Sequence, residues 1–187
     1  MGETAVDEPV RQWFVMRDLK RANAKNPAYA MLSDLGFKVF TPMTTRIALR
    51  NGKKERRDVP FIQDLLFVNA TREELDPVVR RTDTLQYRFL KGHTLGTAMT
   101  VADHDMATFI AAVSSVATPH YYHLDEITPE MYGARVRIVS QGSFDGLEGT
   151  LLKIKGARKK RVLIQLPGLL AAGVEVGSAD LIEEMGR

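Results

Sequence analysis

The stretch GARVRIVSQGSFDGLEGTLLKIKG, Gly133 to Gly156, alternates, turns on closely spaced glycines, and becomes strand-like again. Val136 and Ile138 fall on one side and Arg135 and Arg137 on the other, the period of a half-buried strand. A loop built to cradle phosphate would place its glycines as G-x-x-x-x-G-K-[ST] or G-x-G-x-x-G and run into a helix. In GSFDGLEG the glycines Gly142, Gly146 and Gly149 are spaced by four and three, no Lys-Ser/Thr pair follows, and TLLKIK is a strand. The loop therefore reads as a β-hairpin turn, with Gly146 and Gly149 expected at positive φ and Phe144 and Leu147 tucked inward.

Downstream, RVLIQL and VEVGSADLIEE bring the total to four or five short strands, the spacing of a small β-barrel. Upstream, ATPHYYHLDEITPEMYG has two prolines and no periodicity, so it reads as a linker anchored by aromatics. His120 and His123 within it have neither a regular element nor further ligands to make a metal site, and read as solvated or packing residues.

The first part of the chain has a different texture. QWFVMR (Gln12 to Arg17) is a strand by its aromatic and β-branched content. KNPAYAMLSDLG reads as a helix, with Asn26 as N-cap, Pro27 in the first turn, Gly36 as C-terminal cap and Ala28, Met31, Leu32 and Leu35 on one face. FKVFTPM is a strand, and Asn51–Gly52 marks a tight hairpin inside a basic stretch. VPFIQDLLFVNA reads as the next strand. TREE, Thr71 to Glu74, is a capping box opening a short helix that Pro77 should bend or end. LQYRFL is a strand, and a helix from Asp103 puts Met106, Phe109, Ile110 and Val113 on one face. The order β-α-β-β-α-β-α gives an α+β N-terminal domain, an antiparallel sheet with helices packed on it. The expected boundaries are a disordered tail over 1–11, this domain over 12–117, the linker over 118–132 and an all-β domain over 133–187.

Composition narrows the function. With no cysteine among 187 residues, disulfides, thiolate metal sites and a cysteine nucleophile are excluded. No apolar run is long enough for a transmembrane helix, and the acidic N-terminus has no signal-peptide core, so a cytoplasmic protein without membrane contact is expected. No Ser-His-Asp or H-E-x-x-H pattern appears, and neither an enzyme, a cofactor nor a metal is expected. The charge is clustered. Arg46 to Arg57 holds six cations against one acid in twelve residues, and Lys153 to Arg161 six cations and no acid in nine. Such clusters are either polyanion-binding surfaces or solvated hairpin tips. Trp13, Phe14, Ile62, Leu65, Phe67, Met106 and Phe109 are more large apolar groups than one sheet–helix interface of this size obviously needs. They are core or an exposed docking patch, and the sequence leaves both open.

Two stretches resemble a known family. Gly133 to Gly156 resembles the KOW motif, which opens a small SH3-like barrel and would make Gly142, Phe144, Gly146 and Gly149 its turn. QWFVMR with FTPM and RNGKKERRDVPFIQDLLFV resembles the NusG N-terminal (NGN) domain. In this order the chain resembles the NusG/RfaH family of transcription elongation factors. Where housekeeping NusG has a Pro-Gly-Tyr step, this chain reads IQDLLFV, which resembles the specialised RfaH and above all the UpxY-type antiterminators of capsular polysaccharide operons. The resemblance implies docking on the clamp helices of RNA polymerase through Val15, Ile62, Leu65, Phe67, Met106 and Phe109. It implies contacts to non-template DNA or nascent RNA through Lys20, Arg21, Lys25, Arg80 and Arg81, with Arg46, Arg50, Lys53, Lys54, Arg56 and Arg57 of the basic hairpin adding phosphate contacts. It also implies a small-subunit ribosomal protein as partner of the KOW domain. Pro167 and the β-branched residues around it disfavour the helical form this domain takes in RfaH. The alternatives are housekeeping NusG, or an RNA- or ribosome-binding KOW module acting without polymerase.

Overall fold

The computed structural model describes residues 10–22, 24–92, 96–117 and 119–186, and these fall into two compact units. The first comprises the chain up to Pro42 together with Ile62–Asp103; the second comprises Met43–Phe61 and everything from His104. In this division the basic hairpin and the helix from Asp103, both placed in the expected 12–117 domain, group with the C-terminal part; among the described residues the hairpin strands pair with each other. Residues 1–9 of the expected tail lie outside the described residues. Arg11 is anchored, its guanidinium bonding Glu74 and the Asn69 carbonyl.

In the first unit, β1 (Gln12–Asp18) leads to α1 (Ala28–Asp34) and β2 (Lys38–Phe40). The chain leaves for the second unit with β3 (Met43–Arg50) and β4 (Lys53–Pro60), then returns as β5 (Leu65–Ala70), α2 (Arg72–Arg81), β6 (Leu85–Tyr87) and β7 (Thr100–Val101). The sheet order is β2-β5-β1-β6, antiparallel, with β7 sharing the β6 edge of β1. Phe14, Met16, Leu66 and Val68 form a core on one face with Ala28 and Leu32 of α1 and Leu75 of α2.

Local chemistry departs from expectation at three places. The α1 N-terminus is capped by Asp18 rather than Asn26: its carboxylate accepts from the Ala28 amide at 2.6 Å and from the Lys20 amide at 2.9 Å. Gly36 does close the helix, at φ 87°, with its N–H to Ser33 and that of Phe37 to Leu32, a Schellman motif. The Thr71–Glu74 capping box forms, yet α2 runs through Pro77 to Arg81. Pro77 is exposed, so the carbonyl it leaves unpaired can be hydrated. VPFIQDLLFVNA is two strands, β4 and β5, split by a turn at residues 61–64.

In the second unit, α3 (Asp103–Ser114) is followed by β8 (His120–Tyr122), two short 3-10 turns, β9 (Tyr132–Val139), β10 (Glu148–Leu152), β11 (Arg161–Leu166), β12 (Leu170–Glu175) and β13 (Leu181–Glu184). The last six strands form an antiparallel sheet in the order β13-β9-β10-β11-β12-β8. The expected linker therefore contributes an edge strand. Tyr122 lies over Gly173, where an added Cβ would approach its ring to 2.9 Å, so the glycine admits the aromatic ring. Val136 and Ile138 are buried and Arg135 and Arg137 exposed, as the alternation required.

Two outcomes follow. Asp18→Ala should cost about 1–2 kcal/mol by removing the α1 cap and leaving two amides without that acceptor, read from the denaturant midpoint. The second concerns acid. Burial, and then Arg161, hold His120 below the ordinary imidazole range, while the Arg137 bond to Glu148 and the Arg161 bond to Glu175 hold those carboxyls low. Unfolding lets each take up a proton. The His120 contribution is therefore lost as pH falls below its unfolded value of about 6.5. The carboxylate contributions are present above about 4.5 and disappear as pH falls through their depressed native values. His120→Gln should remove only the upper step in a plot of melting temperature against pH.

Candidate nucleic-acid interface

The basic hairpin folds as a two-stranded ribbon, β3 against β4, in register from Met43↔Pro60 to Arg50↔Lys53. Asn51 (φ 49°) and Gly52 (φ 74°) both have positive φ, the turn whose twist suits two strands joined by two residues. Partners across an antiparallel pair share a face. One face therefore carries Arg46 opposite Arg57 and Arg50 opposite Lys53, with Ala48 and Glu55 between them. The other carries Thr45 opposite Asp58, Ile47 opposite Arg56 and Leu49 opposite Lys54.

All six cations are exposed, and among the described residues none enters an ion pair. Like charges directly opposite on a ladder are destabilising. The ribbon keeps two such pairs, and its Asp58 is bonded to Thr45 at 2.7 Å. A polyanion lying along the ribbon would offset that repulsion.

The remaining expected cations meet in the first unit. Arg21 and Lys25 are exposed and Lys20 half-buried in the segment between β1 and α1; Arg80 and Arg81 are exposed at the C-terminal end of α2. The Leu19 amide donates to the Thr84 carbonyl at 2.8 Å, which brings the two segments to the same end of the unit. The Lys20 ammonium is turned to the Asn26 carbonyl at 2.7 Å.

In the first unit Val15, Leu65 and Phe67 are buried and Ile62, in the turn before β5, is half-buried; in the second unit Met106 and Phe109 are buried. Trp13 and Phe14 are buried as well. His123 stacks on Phe61 with centroids 4.5 Å apart and His120 lies beside Tyr122 at 4.6 Å, so both histidines pack against rings.

GSFDGLEG is bonded to itself and its flanks. The amides of Asp145, Gly146 and Leu147 donate to the carbonyls of Gly142, Ile138 and Phe144, and the Gly142 amide donates to the Ser140 hydroxyl. Gly146 has φ 75°, but Gly149 does not have positive φ; that expectation is corrected. Gly149 is required by proximity, since an added Cβ would lie 2.6 Å from the Leu163 carbonyl. Leu147 is buried and Phe144 half-buried.

Sequence reasoning missed three features. Asp64 bonds both Arg17 (3.0 Å) and Arg88 (3.2 Å), a pairing between residues far apart in sequence. The Lys153–Arg161 cluster is partly neutralised: Lys159 and Arg161 both pair with Glu175. And Ile47 and Leu49 stand in water on the basic ribbon, a placement that period-two patterning, which marks a half-buried strand, does not reveal.

Residues 11–110 match the family model described as transcription termination factor nusG. A search of the curated proteins found no match.

Replacing Arg46, Arg50, Lys53 and Arg57 by Gln should leave the fold intact. If all four contact phosphate in the wild type, the slope of log K against log salt for nucleic-acid binding should flatten by about 3 to 4. Fluorescence anisotropy at several salt concentrations measures it.

Proposed function

Because the chain belongs to the NusG family, matched over more than half its length, we propose that it is a specialised transcription elongation and antitermination factor. It binds RNA polymerase, suppresses pausing or termination, and serves polysaccharide biosynthesis operons. The observation that carries this reading is order: the family match over residues 11–110 is followed by an all-β module whose first hairpin, β9–β10, turns on GSFDGLEG as a KOW barrel would. No bond is made or broken. The factor acts by binding the elongating state of polymerase more tightly than the paused one, and the difference in affinity sets the shift.

Specialisation is supported by the turn at residues 61–64. It stands where the housekeeping proteins have Pro-Gly-Tyr, and here Asp64 ties it to Arg17 and Arg88. In this proposal polymerase meets the first unit at that turn, through Ile62, with Val15, Leu65 and Phe67 holding the paired strands β1 and β5 behind it. Lys20, Arg21, Lys25, Arg80 and Arg81 bind non-template DNA, and the ribbon adds phosphate contacts. The KOW-like module offers its surface to a partner such as a small-subunit ribosomal protein.

A second reading, an RNA- or ribosome-binding module acting without polymerase, is favoured by one observation. Lys153, Lys155, Arg158 and Lys160 are exposed and, among the described residues, outside any ion pair.

The tagged full-length chain, recovered from its own cells, should carry polymerase subunits and shorten pauses when added to a transcribing complex. Ile62→Asp should reduce both. Recovery of RNA or ribosomal proteins with no polymerase would overturn the first reading in favour of the second.

A further inference from the structure

We propose that the β3–β4 ribbon is a reader of double-helical DNA that enters the major groove with its Ile47–Leu49 face toward the base edges. This rests on the reading of the ribbon as a nucleic-acid element and goes beyond phosphate contact to the form of nucleic acid and the face that meets the bases.

The first observation is that the two faces are unlike. Arg46, Arg50, Lys53 and Arg57 make one face predominantly cationic, with Ala48 and Glu55 between the two pairs. On the other, Ile47 and Leu49 are 67% and 74% exposed, two residues apart in β3, each with a long cation directly opposite in β4. Two large aliphatic side chains gain nothing from standing in water beside Arg56 and Lys54. Base edges in the major groove offer what this pairing matches: thymine methyls for the aliphatic groups, and guanine O6 and N7 for the guanidinium and ammonium.

The second observation is that cations lie on both faces of an unflanked ribbon. A planar anionic surface, such as a lipid headgroup layer, would contact one face and leave the other's charge in water. A groove has phosphate walls on either side, and the long side chains of the outer face reach them. The major groove, about 12 Å wide, admits a two-stranded β-ribbon. At about 3.3 Å per residue, the exposed part of each strand runs roughly 20 Å, enough to follow the groove over several base pairs.

The third is composition. No aromatic residue occurs between Met43 and Pro60, so the ribbon has no platform on which single-stranded bases could stack. Double-stranded RNA does not suit this mode of entry, because its A-form major groove is too deep and narrow for side chains to read.

The experiment uses the full-length protein and three fluorescent probes of one sequence: a DNA duplex of about 20 base pairs, its single strand, and the corresponding RNA duplex. The DNA duplex should bind at least about tenfold more tightly than either of the others at moderate salt. Methyl green, which occupies the major groove, should compete, and netropsin, which occupies the minor groove, should not. I47S/L49S, a change confined to exposed positions, should weaken duplex binding about fivefold or more and leave the salt slope unchanged. Retention of polymerase from lysate is read on the same preparations. If I47S/L49S releases polymerase while duplex binding stands, the aliphatic face docks a protein and the proposal is overturned. Equal affinity for single strand and duplex, or competition by netropsin alone, overturns it as well. Loss of duplex binding with polymerase retained upholds it and leaves the family-level reading untouched; absence of polymerase from the wild type sinks that reading without touching this one.

Discussion

The first unit depends on the pairing of β1 along both of its edges. One edge is taken by β5 from Gln12 to Arg17, the other by β6 near its end and β7 near its start. Because β1 is central, its amides and carbonyls have partners on both sides, and its apolar residues can be buried without unsatisfied backbone. Trp13, Phe14, Val15 and Met16 are four consecutive buried residues, a pattern that strict alternation would not produce. Asp18 closes the strand and caps α1 with the same side chain, so the end of the central strand also fixes where the first helix begins.

Much of the architecture was legible because it is written in local chemistry. Asn51–Gly52, the Thr71–Glu74 box and Gly36 each act through their own backbone, and each stands where its residue types place it. The alternation around Val136 and Ile138 was legible for the same reason. What could not be read was anything decided by distant partners. Asp18 reaches across ten residues to a helix cap that Asn26 was expected to supply, and the segment with His120 and Tyr122 looks like a linker until β12, some fifty residues later, offers it an edge. Gly149 was assigned the wrong reason, since crowding against Leu163 belongs to a strand that follows it.

The candidate site divides along the same line. Cationic clusters are visible in any sequence, but whether they are free depends on which carboxylates fold against them. Among the described residues the ribbon's cations enter no ion pair, whereas the later cluster gives up two to Glu175, and only tertiary structure separates these outcomes. Apolar residues present the converse difficulty. Val15, Leu65 and Phe67 in the first unit and Met106 and Phe109 in the second are buried, while aliphatic residues that stand in solvent, Ile47 and Leu49, sit inside the basic stretch Arg46–Arg57.

Among the described residues the ribbon pairs with no third strand, which has a consequence apart from binding. Each of its outer edges presents a row of unsatisfied amides and carbonyls, the template on which another molecule's strand can grow. With exposed aliphatic groups alongside, two copies would have reason to join edge to edge. Lysine and arginine along an edge oppose that joining by mutual repulsion. The charge that would draw a polyanion in would thus also oppose edge-to-edge association of the free protein. A long polyanion would partly screen that protection, so several copies crowded on one strand are where edge-to-edge polymerisation would first become favourable.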